Sequence, residues 1–211
     1  MDRQRWHNDY DRPGSGLARR LAVVQGQVRA ALDRAPTGAV RVISLCAGQG
    51  RDVLDVMAEH PRRSDVRARL VELDPRLSSF ADKRARDLGL QDQVDVVTGD
   101  AAQIDQYGGM APAGVVLVCG VFGNISDQDI EATIDSCPQL CATGATLIWT
   151  RHREDPDLVP QICAWFEARE FERVWLSDPD AGFGVGVHRF TGEPRPLVPG
   201  RTLFSFVSGG V

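Results

Sequence analysis

V-R-V-I-S-L-C-A-G-Q-G-R-D, running from Val40 to Asp52, sets a short β-branched run against a glycine turn and the opening of a helix. Val40, Val42, Ile43 and Leu45 have strand character. Gly48-Gln49-Gly50 brings backbone without Cβ atoms up to whatever sits above it. A helix beginning near Arg51 aims free N–H groups and the positive end of its dipole at the same place. Strand, turn and helix together make a cradle for a polar or anionic ligand.

Working outward, the chain alternates between strand and helix patterns. Upstream, Leu17, Leu21, Val24, Val28 and Leu32 recur at helical spacing and predict a helix that ends near Pro36-Thr37-Gly38. Downstream, Val53, Leu54, Met57 and Ala58 form the buried face of the helix after the loop. A strand over Arg67 to Glu72 follows, then a helix with Asp74 as N-cap, Pro75 as its first residue, an apolar stripe of Leu77, Phe80, Ala81 and Leu88, and Gly89 at its end. Further strands are expected at Val94–Val97, Val115–Cys119 and Thr146–Thr150. Helices are expected from about Ser126 to Cys137 and around Leu158, Ile162, Trp165 and Phe166. Phe171–Leu176, Gly184–Phe190 and Leu203–Phe206 read as three antiparallel strands added at one edge. The expected class is α/β: a doubly wound, mostly parallel sheet with antiparallel C-terminal strands and an added N-terminal helix.

The 211 residues suit one domain. It divides into an N-terminal lid segment and helix (1–36), a core (37–176) and C-terminal edge strands (177–211). The formal net charge is −5, and the basic side is nearly all arginine, spread among acids, with Lys83 the only lysine. No basic stripe forms, which disfavours a nucleic acid partner. Five cysteines in apolar patterns read as reduced, buried thiols; Cys137 and Cys141 lack companions at zinc spacing, so no metal is expected. Met1-Asp2-Arg3-Gln4-Arg5 carries no apolar signal core and no run reaches membrane-spanning length, so a soluble cytoplasmic protein without membrane partners is expected.

Four features fall at the C-terminal ends of successive predicted strands, where such a sheet binds ligands: Cys46-Ala47-Gly48-Gln49-Gly50, Val71-Glu72-Leu73-Asp74, Thr98-Gly99-Asp100-Ala101, and Val118-Cys119-Gly120-Val121-Phe122-Gly123-Asn124. In this order, over roughly Val40 to Phe190, they resemble the Rossmann-like class I S-adenosylmethionine-dependent methyltransferases. The resemblance implies S-adenosyl-L-methionine as cofactor and S-adenosyl-L-homocysteine as product. Gly48 and Gly50 match the last two glycines of the family's first motif, beside the methionine portion and ribose. Ser44 and Cys46 stand where that motif has an acid and an earlier glycine. Glu72 matches the acid that accepts from the ribose hydroxyls, with Leu73 against the adenine; Asp100 matches the contact to the adenine amino group, and Ala101 offers its backbone N–H to the ring. Cys119 and Gly120 complete the expected cofactor set with Cys46 and Ala47.

The competing dinucleotide fingerprint needs a glycine where this chain has Val53, so a nicotinamide-dependent oxidoreductase fits less well. The acceptor is less legible. The exocyclic-amine methyltransferases of nucleobases carry Asp or Asn, then Pro-Pro and an aromatic, after the fourth strand; Cys119 to Asn124 departs from this. A small-molecule acceptor methylated at oxygen, hydroxyl or carboxylate, is the expectation. His152 and Tyr10 are the candidate catalytic groups, and His7, Asn124 and Arg151 the candidate substrate contacts, with Trp6, His7 and Tyr10 in a lid. His188 reads as a packed strand histidine. A noncatalytic cofactor-binding or regulatory module of the same fold is the alternative, and a homodimer is an open partner state.

Overall fold

The computed structural model describes Arg12 and residues 14–207; Trp6, His7 and Tyr10, the expected lid residues, lie outside the described residues. The elements are α1 (Gly16–Arg34), β1 (Val40–Leu45), α2 (Arg51–Glu59), β2 (Val66–Glu72), α3 (Pro75–Asp87), β3 (Val94–Thr98), β4 (Ala113–Val118), α4 (Asp127–Ser136), β5 (Cys141–His152), α5 (Val159–Glu167), β6 (Phe171–Leu176) and β7 (Phe183–Phe190). The seven strands form one sheet in the order β3-β2-β1-β4-β5-β7-β6. β1 to β5 run parallel, and β7 lies antiparallel to both β5 and β6.

Parallel strands covered on both faces read as continuous apolar runs, and β1 and β4 show why. Val42, Val115 and Leu117 pack with Val28, Leu54 and Met57 under α1 to α3, while Ile43, Val116 and Val118 pack with Ile130, Ile134 and Phe166 under α4 and α5. Side-chain caps fix where the helices begin. Ser15 accepts from the Ala18 N–H, Asp74 from that of Arg76 and Ser126 from that of Asp129. α2 has no side-chain cap; its N-cap is Gly50, left-handed at φ 69°. A Cβ there would lie 2.9 Å from Leu54 Cδ1, so glycine is required for conformation and for space.

β7 is shaped by one bulky neighbour. Trp149 of β5 lies opposite Gly186, and a Cβ on Gly186 would fall 2.2 Å from the indole ring. The Trp149 indole N–H donates to His188 Nδ1 at 3.1 Å, and Phe166 stacks on the same imidazole at 4.7 Å. His188 is fully buried, and desolvation pushes its pKa down to about 3. It is a packed, neutral histidine.

Three expectations are corrected. Phe80 is 42% exposed; beside the expected Ala81, α3 buries Ser78 and Ala85, small residues that let it approach β3 closely, with the Ser78 and Thr98 hydroxyls 2.7 Å apart. β5 is longer than expected because its pairing with β7 continues to His152↔Phe183, so Arg151 and His152 belong to the strand rather than to the loop after it. Leu203–Phe206 is not an edge strand. Among the described residues the tail makes isolated bridges, Gln103↔Thr202 and Ile125↔Phe206, crossing the loops that follow β3 and β4.

Candidate functional site

The order places β1 beside β4, where the connections leave in opposite directions, and ligands of doubly wound sheets bind at the strand ends flanking that switch. Four loops meet along this edge.

The β1 loop is built on left-handed backbone. Cys46 has φ 51°, Gly48 φ 56° and Gly50 φ 69°. Cys46 thus adopts, at a cost of about 1–2 kcal/mol, a conformation that glycine takes freely, which accounts for the glycine of the resembled motif. The loop closes through Gly50 N–H to the Ala47 carbonyl at 2.8 Å and is tied to β2 by Ala47 N–H to the Val71 carbonyl at 3.0 Å.

Glu72, the last residue of β2, locks this loop to the next. Its Oε2 accepts the Gly48 N–H at 2.8 Å and its Oε1 the Asp74 N–H at 2.9 Å, and the residue is 7% exposed. A carboxylate has about four lone-pair sites, so each oxygen can accept one more hydrogen bond. Asp74 is occupied as the α3 cap. Leu73 is 52% exposed, an apolar shelf beside the acid.

After β3, Asp100 Oδ1 accepts from Ala102 N–H at 2.9 Å, and Oδ2 lies 3.4 Å from Gln103 Nε2. The buried Tyr107 hydroxyl donates to the Ala101 carbonyl at 2.7 Å. The tail fixes the same turn from outside: Leu203 N–H donates to the Ala102 carbonyl at 2.8 Å, and Ile104 N–H to that of Arg201 at 3.0 Å.

The loop after β4 is held by its neighbours. Gly120 N–H donates to Thr150 Oγ1 at 2.9 Å, and Asn124 Nδ2 to the Gly120 carbonyl at 2.8 Å. The Arg151 guanidinium, 9% exposed, donates to the Phe122 carbonyl, and desolvation lowers its pKa. Its charge supports the loop from beneath. His152 is half-exposed at the end of β5, and a Cβ on Gly123 would lie 3.1 Å from its Cδ2. Its Nδ1 accepts Glu154 N–H at 3.3 Å, so the neutral ring carries its proton on Nε2; desolvation and then Arg151 lower its pKa. Val207 N–H donates to the Asn124 carbonyl at 3.0 Å, bringing the tail to this loop too.

The edge therefore gathers Cys46, Ala47, Gly48, Gly50, Glu72, Leu73, Asp100, Ala101, Cys119, Gly120, Asn124, Arg151 and His152, leaving His7 and Tyr10 outside the described residues. Sequence reasoning missed Thr150 and the tail. Thr150 carries no motif, whereas the apolar signal of Leu203 to Phe206 was visible and assigned to a sheet edge.

The family model described as "Putative methyltransferase" matches residues 14–169. A search of curated proteins returned no match. Among solved structures, an O-methyltransferase family protein from Burkholderia thailandensis aligns with a TM-score of 0.66 and 16% identity over 83% of this chain, which spans 56% of that protein. An RNA methyltransferase from Salinibacter ruber, in complex with S-adenosyl-L-homocysteine, aligns with a TM-score of 0.54 and 20% identity over 84% of this chain and 96% of that one. A SAM-dependent methyltransferase from Thiobacillus denitrificans, also with S-adenosyl-L-homocysteine, gives 0.57 and 17% over 79% and 89%. At these identities the likeness is one of fold. The family match spans well over half of the chain, which therefore belongs to this family of methyltransferases.

Proposed function

We propose that this methyltransferase draws its methyl group from S-adenosyl-L-methionine and delivers it to an oxygen, hydroxyl or carboxylate, of a small-molecule acceptor. The observation that carries the donor reading is Glu72. Both of its oxygens are oriented by backbone N–H groups and retain acceptor capacity at a strand end, beside an exposed leucine, which suits a ribose diol with an adenine on Leu73. Asp100 and Ala101 would read the adenine edge, and the Cys46–Gly50 loop with Cys119 and Gly120 would surround the methionine end. When bound, the sulfonium supplies an electrophilic methyl carbon.

The chain's own contribution to transfer is positioning, because an acceptor held about 3 Å from that carbon in line with the breaking bond needs little else. Asn124 and His152 flank the approach, with Arg151 supporting the loop between them. A carboxylate acceptor needs no base. For a hydroxyl, His152 would act at Nε2 only in its other tautomer, giving up the Glu154 contact at a cost of about 1 kcal/mol. His7 and Tyr10 are proposed as lid residues.

The oxygen and small-molecule assignments rest on the dispersed charge and on a β4 loop without the Asn/Asp-Pro-Pro pattern. Incubation with isotopically labelled S-adenosylmethionine and parallel sets of small hydroxylated compounds, small carboxylic acids and RNA tests the reading. Label in an ester or ether of a small molecule supports it; label confined to RNA overturns the acceptor assignment.

A further inference from the structure

Tyr107 closes the short 3-10 turn Ile104–Tyr107 that follows the loop after β3, and the proposed function leaves its side chain unused. It is fully buried and gripped from behind. Arg69 of β2 donates from Nη1 to the carbonyls on either side of it, Gln106 at 3.0 Å and Gly108 at 2.7 Å, and pairs with Asp95 at 2.8 Å. The Tyr107 carbonyl accepts the N–H groups of Met110 at 3.0 Å and Ala111 at 2.9 Å. This grip delivers the phenol hydroxyl to the Ala101 carbonyl, 2.7 Å away. Gln106 closes over the same turn, where a Cβ on Gly99 would lie 2.9 Å from its Nε2.

The peptide that accepts the phenol's bond also donates one. The Ala101 carbonyl and the Ala102 N–H are two ends of one planar group, and that N–H donates to Asp100 Oδ1 at 2.9 Å. A phenol pulling on the oxygen polarises the N–H and strengthens its bond to the carboxylate. The phenol keeps its proton, because burial first, and then Cys46 and Asp100, push its pKa well above that of an exposed tyrosine. Phenol, peptide and carboxylate thus form a chain that holds Oδ1 and fixes where Oδ2 points. Oδ2 lies 3.4 Å from Gln103 Nε2, long for an N–H···O bond, and retains acceptor capacity.

We propose that Tyr107 is a positioning residue that sets base selectivity: by fixing the Ala101–Ala102 peptide, its hydroxyl aims Asp100 Oδ2 at the exocyclic amine of the donor's base, so that a base with a carbonyl oxygen there is rejected. This rests on the S-adenosylmethionine reading above. Without the hydroxyl, the buried Ala101 carbonyl loses its donor and the turn relaxes, releasing Asp100. A carboxylate turned away from an amine forfeits a hydrogen bond. Turned away from a carbonyl oxygen, it forfeits none.

The test is calorimetric titration of the full chain with S-adenosyl-L-homocysteine and with S-inosyl-L-homocysteine, which share sugar, thioether and amino acid and differ in the amine or carbonyl oxygen of the base. The wild type is expected to prefer the first by about 10-fold or more. Tyr107→Phe is expected to weaken S-adenosyl-L-homocysteine by about 10-fold and leave the inosyl compound within about twofold. In an Asp100→Ala background the same substitution should leave the ratio of the two affinities unchanged. Arg69→Gln, which frees both carbonyls beside Tyr107, should lower the preference in the same direction, and it decides the question should Tyr107→Phe fail to fold. Equal weakening of both ligands, or no change in either, assigns Tyr107 a purely structural role and overturns the proposal. A wild type that binds the two ligands alike overturns the base contact of Asp100 and the proposal with it, whereas one that binds neither overturns the donor reading itself.

Discussion

Glu72 and Gly48 are joined across the ends of β2 and β1 by a 2.8 Å hydrogen bond in which the loop N–H donates to the carboxylate. The bond makes one side chain responsible for the shape of the glycine loop and, in the proposed function, for the acid that meets the ribose diol. Glu72→Gln keeps the volume but turns an NH2 group toward one of two N–H donors, Gly48 or Asp74. The variant is expected to lose about 1–3 kcal/mol of stability, read as a lower urea midpoint at unchanged slope, and to bind S-adenosyl-L-homocysteine more weakly.

Gly186→Ala should be destabilising. The added Cβ would lie 2.2 Å from the Trp149 ring, which is itself pinned by its bond to His188 and by Phe166. Overpacking of this kind costs about 1–3 kcal/mol. Thermal denaturation checks it, and a variant as stable as the wild type would show that the indole has room to move.

Two buried groups give opposite pH dependences. The folded-state pKa of His188 is depressed from 6.5 to about 3, so the unfolded chain takes up a proton first and stability falls as pH drops from about 6.5 toward 3. His188→Gln should flatten that limb. The folded-state pKa of Asp52 is raised from 3.8 to about 6, so its contribution is complete below 3.8 and lost as pH rises through 6. Ligand-free Asp52→Asn should accordingly gain stability relative to the wild type above pH 6, and the gain should vanish below about pH 4. Melting temperatures across pH 3 to 8 measure both differences.

The tail ties the turn after β3 to the loop after β4, with Leu203 bonded to Ala102, Val207 to Asn124, and Thr133 Oγ1 donating to the Leu203 carbonyl at 3.0 Å. Leu203 is 2% exposed. Leu203→Ala is expected to lower stability by about 2–5 kcal/mol and to increase hydrogen exchange at both Ala102 and Asn124. Exchange raised at neither position would show that the tail fixes no site geometry.

Much of this was legible from residue order. The β1 run, the turn and the α2 start follow from side-chain branching and from glycines that only a left-handed backbone requires, and Asp74-Pro75 announces a helix by capping chemistry alone. Position along the strands then put Glu72 at the end of β2 and Asp100 just after β3. What sequence did not convey was set by tertiary partners. Phe80 has the apolarity of a core residue, but α3 packs through the smaller Ala81 and Ala85. Arg151 reads as a loop residue after the strand, yet it belongs to a long β5 and donates to the Phe122 carbonyl. Leu203 to Phe206 alternates like a strand, but β6 closes the sheet edge beyond β7, so the tail finds its hydrogen bonds on loops. Asp52 carries no signal until its burial is known.

The central claim is that the loop clamped by Glu72 receives S-adenosylmethionine. Calorimetric titration of the wild-type chain with S-adenosyl-L-homocysteine, beside NAD under the same conditions, tests it most directly. One saturable site per chain for S-adenosyl-L-homocysteine and none for NAD is the predicted result, with affinity falling by about 10- to 100-fold in Glu72→Ala. Saturable NAD binding with no response to S-adenosyl-L-homocysteine would contradict it.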